Sequence, residues 1–162
     1  SNDLRSKFAA AFNLGMEDLA DDLPLEVIST GLEYLVLPVR SGLSNAHITI
    51  LDLELQLEAI GAQFCYLLDV DRFEGRHWNN DGVMEDVATG SAAGVVGAYA
   101  RRHGLVRNGK TFILKQGHFM GRPSELHVTA YGDCNNVERI TVAGAVSIVG
   151  TGTLDVLPEI GT

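Results

Sequence analysis

The stretch Glu85-Asp86-Val87-Ala88-Thr89-Gly90-Ser91-Ala92-Ala93-Gly94, continuing as Val95-Val96-Gly97-Ala98-Tyr99-Ala100-Arg101-Arg102-His103-Gly104, decides how the chain folds. Two acids precede a Thr-Gly-Ser turn, and a run of small residues follows. The run predicts a helix from Ser91 to His103, with Gly104 at the C′ position that glycine favours. The first-turn N–H groups of a helix have no internal partners and carry the positive end of its dipole, so they form a ready anion site. Asp86 stands beside that site, where it can hold a ligand or exchange a proton with it. The local pattern also fits a plain capped core helix, in which Ser or Thr caps the end and Gly and Ala only permit close packing. The helix has almost no polar face before Arg101, so it is expected to be buried all round, as a curved sheet wrapped about it would achieve.

The order Glu-Asp-x-x-Thr-Gly-Ser-Ala before a small-residue helix resembles the signature of the PhzF-like (phenazine biosynthesis-like) family, which shares the diaminopimelate epimerase fold. The resemblance extends to both sides. Ile28-Ser29-Thr30-Gly31-Leu32 with Leu35-Val36-Leu37-Pro38-Val39 resembles the family's Ser-Thr-Gly turn and strand. Gln116-Gly117 and Gly121-Arg122-Pro123-Ser124 resemble its later Gln-Gly and Gly-Arg-Pro-Ser elements. Val142-Ala143-Gly144-Ala145-Val146 with Gly150-Thr151-Gly152-Thr153-Leu154 resembles its closing strands. The resemblance implies an α+β fold: a mixed, β-barrel-like sheet around a central α-helix, a diaminopimelate epimerase-like half. Family members have two such halves with the active site between them. This chain resembles the C-terminal half over residues 1–162, as a single domain, because the Glu-Asp-x-x-Thr-Gly-Ser motif belongs there.

Bulk properties narrow the function classes. The 162 residues suit one domain, and 46% hydrophobic with 20% charged residues suits a soluble globular chain. No apolar run approaches the roughly 20 residues needed to span a bilayer. Ser1-Asn2 is set aside as a tag remnant, and the chain then opens into an amphipathic stretch rather than a leader. A net charge of −9 disfavours nucleic acid, whose binding needs clustered Lys and Arg. The compact basic cluster Arg101-Arg102-His103 is accounted for by the helix C-terminus. Cys65 and Cys134 fit neither a metal site nor a redox pair, and a reducing cytoplasm is the expected location.

Periodicity predicts further elements: a helix from Leu4 to Leu14 closed by Gly15, a short turn at Glu17-Asp18-Leu19, and strands at Val27–Ser29 and Tyr34–Val39. Residues 50–62 are ambiguous. Leu51, Leu53, Leu55 and Leu57 alternate as in a strand, whereas Leu53, Leu57 and Ile60 share a helical face; composition and the family resemblance both favour helix. Strands are expected at Phe64–Val70, Phe73–Trp78, Phe112–Lys115, Leu126–Tyr131, Val137–Val142 and Val146–Leu154.

The resemblance implies Asp86 as the acidic, proton-handling residue, and Gly90 and Ser91 as amide and hydroxyl donors to a substrate carboxylate. Thr89, Thr30, Gly31, Gln116 and Gly117 are further substrate-binding candidates, and Arg122 a weaker one. Glu85 reads equally well as structural, and Val87 stands where many relatives carry Pro. Among His47, His77, His103, His118 and His127 there is no metal spacing; His118, in the Gln-Gly loop, is the histidine to test, and His127 reads as a strand-face residue. No phosphate loop is present. The expected chemistry is cofactor-independent proton transfer on a small carboxylated metabolite, with no metal and no cofactor. In the family the proton-shuttling glutamate and a histidine come from the other half, so the chain alone is expected to be inactive and to pair with a second copy as a homodimer. The competing class is a non-catalytic ligand-binding or dimerisation domain. A cysteine-dependent epimerase is disfavoured, because Cys65 and Cys134 lie far in sequence from the helix start.

Overall fold

The computed structural model describes residues 2–153 and 155–156. The small-residue run forms α3, Gly90–Arg102, and every residue from Ala92 to Ala100 is buried. A C-terminal Schellman pair ends it: the Leu105 N–H donates to Ala100 O at 2.8 Å and the Gly104 N–H to Arg101 O at 3.3 Å, with Gly104 at φ +72°. Around α3 lies one seven-stranded sheet whose spatial order follows the chain: β1 Glu26–Ser29, β2 Glu33–Val39, β3 Phe64–Asp69, β4 Glu74–Arg76, β5 Thr111–Gln116, β6 Ser124–Gly132 and β7 Val137–Ala143. The pairs β2–β3 and β4–β5 are parallel and the other four are antiparallel. Helix α3 packs on β1 and β2 at one end of the sheet and on β6 and β7 at the other, so the sheet is curled around it. Between β1 and β7 a groove remains, with Ala98 and Arg102 of α3 at its floor.

Two other helices, α1 (Asn2–Ala11) and α2 (Leu53–Glu58), cover the outer face of β2 and β3. The central strand β2 is therefore buried on both sides and reads as an unbroken apolar run. Leu35, Leu37 and Val39 point out to Phe8, Phe12, Leu53 and Leu57, while Tyr34 and Val36 point in to Ala92, Val95 and Val96. The close fit around α3 depends on its glycines. A Cβ on Gly97 would lie 2.8 Å from Val128 Cγ1 and 3.0 Å from Ile140 Cγ2, and one on Gly94 would lie 2.9 Å from Thr30 Oγ1.

Four expectations need correction. The first helix ends at Ala11, not Leu14, because Asn13 adopts the left-handed conformation (φ 57°) and Leu14 N–H turns back to Ala9 O at 2.9 Å. The expected helix over 50–62 is shorter, Leu53–Glu58 followed by a turn, and the strand over 73–78 keeps only Glu74–Arg76 in the ladder. The strand expected at Val146–Leu154 does not form over residues 146–153, and Leu154 lies outside the described residues. Alternating apolar residues make a strand only when a neighbour accepts their backbone bonds. Here Val146, Ile148 and Val149 are 88%, 89% and 99% exposed, with no strand beside them among the described residues. No helix among the described residues is long and apolar enough to cross a membrane.

Gly97→Leu is expected to overpack the space between α3 and the β6–β7 pair and to destabilise the fold by about 1–3 kcal/mol or more. Its thermal midpoint, followed by circular dichroism, falls; an unchanged midpoint would show that α3 is not enclosed.

Candidate active site

The hairpin that delivers the two acids is set by its turn. Asn79-Asn80-Asp81-Gly82 closes it: the Gly82 N–H reaches Asn79 O at 2.8 Å with Gly82 at φ +71°, and the Asn79 N–H reaches Met84 O at 2.9 Å. Trp78 pairs antiparallel with Glu85, and the Asp86 N–H donates to His77 O at 2.9 Å. Neighbouring residues of an extended segment point to opposite faces, so Glu85 and Asp86 have opposite fates.

Glu85 faces outward and is locked. Arg76 Nε and Nη2 donate to its two carboxylate oxygens at 2.8 and 2.7 Å, and both side chains are nearly buried, at 9% and 11% exposed. Arg76 Nη1 also donates to Leu43 O at 2.8 Å and Ala46 O at 2.9 Å. Its guanidinium lies over the rings of Trp78, at 4.5 Å, and Phe119, at 4.8 Å. Glu85 is thus structural: with Arg76 it bolts the hairpin to the loop around Leu43.

Asp86 faces inward to the start of α3 and is exposed. A chain of buried hydrogen bonds ends on it. Thr89 Oγ1 donates to Asp86 Oδ2 at 2.7 Å, and Gln116 Nε2 donates to Thr89 Oγ1 at 2.9 Å and to Asp86 O at 2.8 Å. Gln116 Oε1 accepts from the Thr89 N–H at 3.3 Å and from the Tyr66 hydroxyl at 3.0 Å. The backbone carbonyl of Asp86 can only accept, so the amide orientation of Gln116 is settled, and all of its hydrogen-bonding capacity is used internally. Gly75 makes room for this chain, since a Cβ there would run into the Tyr66 ring. Burial pushes the Tyr66 phenol well above its ordinary value, so it remains a donor.

Because the Thr89 hydroxyl is committed to Asp86, it does not cap α3. Its carbonyl accepts the Ala93 N–H at 2.9 Å, and the amides of Gly90, Ser91 and Ala92 have no protein acceptor among the described residues. Gly90 and Ser91 are exposed, and nothing lies within 4 Å of where a Gly90 Cβ would stand. The Ser91 hydroxyl is 2.9 Å from the Tyr34 hydroxyl, whose pKa burial raises. The open end of α3 therefore presents one carboxylate, one hydroxyl and the exposed, unpaired amides of Gly90 and Ser91, an arrangement suited to hold an anionic group beside a proton-exchanging one.

The structure brings Asp86, Thr89, Gly90, Ser91 and Gln116 together. Thr30 lies against Gly94, one turn along α3 on the Gly90 face, and Gly31 sits exposed at the β1–β2 turn with φ +137°. Gly117 is buried behind the loop; its φ is +78°, and a Cβ there would meet Arg122 O and lie 2.8 Å from Val87 O. Arg122 is exposed, and His118 is also exposed, with Nδ1 3.9 Å from Glu74 Oε1. His127 points outward from β6. The basic cluster is engaged with its neighbours: Arg101 Nε donates to Gly132 O at 2.9 Å, and Arg102 and His103 both contact Glu26. Sequence reasoning missed Tyr34, Tyr66, Arg76 and His77. The available signals were the inward phase of Tyr34 and Tyr66 in their strands and the Asn-Asn-Asp-Gly turn, which sets His77 opposite Asp86.

Comparison with known proteins agrees with this architecture. The family model described as phenazine biosynthesis-like protein (PhzC-PhzF) matches residues 2–152. The trans-2,3-dihydro-3-hydroxyanthranilate isomerase of Pseudomonas chlororaphis is 37% identical over 86 residues, which cover 49% of this chain and 31% of that protein. An uncharacterized isomerase, YfhB of Bacillus subtilis, is 29% identical over 168 residues, covering 92% of this chain and 51% of the relative. A solved structure described as a predicted epimerase from Pseudomonas aeruginosa superposes with a TM-score of 0.77 at 40% identity, covering 93% of this chain and 54% of that one. The chain thus spans about half the length of the relatives it matches end to end.

The two adjacent acids should respond differently to substitution. Glu85→Gln leaves Arg76 charged, buried and short of its partner, and is expected to cost about 3–5 kcal/mol in a chemical denaturation curve. Asp86→Asn, at an exposed position, is expected to change stability by less than about 1 kcal/mol. Equal losses would show that the division of roles between them is wrong.

Proposed function

The chain belongs to the phenazine biosynthesis-like family, and on that premise we propose that it is the C-terminal lobe of a cofactor-independent isomerase that moves a proton on a small carboxylated metabolite. The observation that carries this reading is the exposed Asp86 beside the unpaired amides of Gly90, Ser91 and Ala92. In this reading the amides and the Ser91 hydroxyl take the substrate carboxylate. Helix-end donors also stabilise negative charge that spreads onto that group when a neighbouring carbon loses a proton. Asp86 accepts or returns the proton. Thr89, Gln116 and Tyr66 hold the carboxylate in place and keep one of its oxygens hydrogen-bonded. The relative in Pseudomonas chlororaphis is named for an isomerisation of trans-2,3-dihydro-3-hydroxyanthranilate, and a substrate of similar size and charge is the class proposed here.

The second acid–base group would come from a complementary half, so the chain alone is proposed to bind but not to turn over. The exposed Val146, Ile148 and Val149, which follow the edge strand β7, support a covering partner. In isolation a second copy is the proposed cover, giving a homodimer whose two lobes face each other. The same apolar residues favour the alternative reading, in which the chain serves as a ligand-binding or dimerisation domain without catalysis of its own.

Purified chain is expected to sediment as a dimer at high concentration and to catalyse no measurable deuterium incorporation into trans-2,3-dihydro-3-hydroxyanthranilate in D₂O. A sole monomer would overturn the pairing. A measurable rate that disappears in Asp86→Ala would overturn the claim that the other half is required.

A further inference from the structure

His77 shares a face with Asp86 yet takes no part in the hydrogen-bond chain that ends on that carboxylate. The pairing of Trp78 with Glu85 and the bond from the Asp86 N–H to His77 O set His77 directly opposite Asp86. Side chains directly opposite in an antiparallel pair stand on the same face, with Cβ atoms about 5 Å apart. On its other side, the pairing of Arg76 with Leu67 puts His77 across from Tyr66, and the two rings stack at 6.4 Å and 29°. Tyr66, His77 and Asp86 thus form a row under the start of α3.

The ring is held from three sides. The Tyr34 and Phe64 rings meet it edge-on at 5.5 and 5.6 Å, and Tyr66 stacks on it. Nδ1 lies 3.0 Å from Cys65 O, just beyond the last β3–β4 pair. A carbonyl can only accept, so Nδ1 carries the proton. The titratable groups facing the ring are Tyr34 from β2, Tyr66 from β3 and Asp86 from the hairpin. Burial lowers the imidazole pKa against the opposing pull of the Cys65 carbonyl and Asp86, which leaves the ring neutral and Nε2 a free lone pair. His77 is 6% exposed, and Nε2 has no partner among the described residues. The three rings packed on the imidazole are aromatic, and among the described residues Nε2 is an acceptor without a donor.

We propose that His77 Nε2 is a ligand contact of this site: it accepts a hydrogen bond from a hydroxyl or amino group of the bound molecule, so the site selects hydroxy- or amino-carboxylates over plain carboxylates. The proposal rests on the reading of Gly90, Ser91 and Ala92 as the carboxylate position. A ligand with its carboxylate on those amides and a donor group a few bonds away satisfies both features at once. A plain carboxylate bound there would bring Nε2 no donor.

Two probes separate the claims: 3-hydroxyanthranilate, which carries amino and hydroxyl donors, and benzoate, which carries neither. In nitrogen-15 NMR of the whole chain, both are expected to shift the Gly90, Ser91 and Ala92 amides, while the His77 Nε2 resonance moves with 3-hydroxyanthranilate alone. His77→Phe is expected to weaken 3-hydroxyanthranilate about tenfold and leave benzoate within about twofold, and His77→Gln, whose amide oxygen can stand in for Nε2, to restore part of the loss. Should both probes shift the amides while Nε2 stays still, the role of His77 is overturned and the carboxylate site stands. Should neither probe shift the amides, the carboxylate site itself fails and the proposal fails with it. The Nε2 measurement is made on the unmodified protein, so the test survives a variant that does not fold.

Discussion

A helix with no polar face has to be enclosed, and the rest of this structure follows from enclosing α3. Nine consecutive buried residues, Ala92 to Ala100, leave no side of the helix for water. A flat sheet covers one side only, so the seven strands curl until both edges of the sheet reach the same helix. Gly94 and Gly97 set how closely they can come, because strand side chains and Thr30 occupy the volume a Cβ would need. Enclosure along its length leaves the helix reachable at its ends. The C-terminal end is closed by the Schellman pair and by contacts to Glu26, Gly132 and the turn after Arg102. The N-terminal end is left open, and that is where the unpaired amides stand.

The groups at the open end are set by the pleat of one short hairpin. Glu85 and Asp86 are adjacent carboxylates, and alternation sends one outward to Arg76 and the other inward to α3. A buried ion pair contributes little net stability against a hydrophobic alternative, but leaving one member unpaired is costly. The Arg76–Glu85 pair is better understood as a registration device. It accepts only the pairing that puts Trp78 across from Glu85, and that same pairing sets His77 across from Asp86. A slip by one residue would exchange the faces, burying Asp86 against a guanidinium and exposing Glu85 at the helix end.

Much of this was legible in the sequence because it depends on local rules. The small-residue run, the glycine at its C-terminal end, the unbroken apolar stretch of β2 and the order of the motifs all report on short segments. The misses share a different cause. Asn13 ended the first helix early because asparagine tolerates the left-handed conformation almost as a glycine does, and Gly15 looked like the stronger stop. Residues 146–153 carry a strand's alternation, but a strand requires a neighbour, and none lies beside them among the described residues. Tyr66 and His77 lie outside the motif that holds Asp86, and only strand order and register bring them to it. The Asn-Asn-Asp-Gly turn was the one local signal that could have placed His77.

The polar groups at this end of α3 divide into those that are satisfied and those that are not, and the division follows a line. Gln116 uses every donor and acceptor it has on Thr89, Tyr66 and the Asp86 backbone. Thr89 gives its proton to Asp86 and its carbonyl to Ala93. Behind that layer the structure is complete, and a half-satisfied buried network would be a liability rather than a support. In front of it stand one carboxylate oxygen, the amides of Gly90 and Ser91 and an imidazole nitrogen without protein partners among the described residues. Most buried polar groups find a partner, so a cluster of unpaired ones at one helix end is unusual. The completed layer holds the unpaired one rigid, so a bound molecule meets donors and acceptors already in place and does not have to order them. That preorganisation is what a proton transfer at a weakly acidic carbon demands, since the charge it creates lasts too briefly for side chains to rearrange around it.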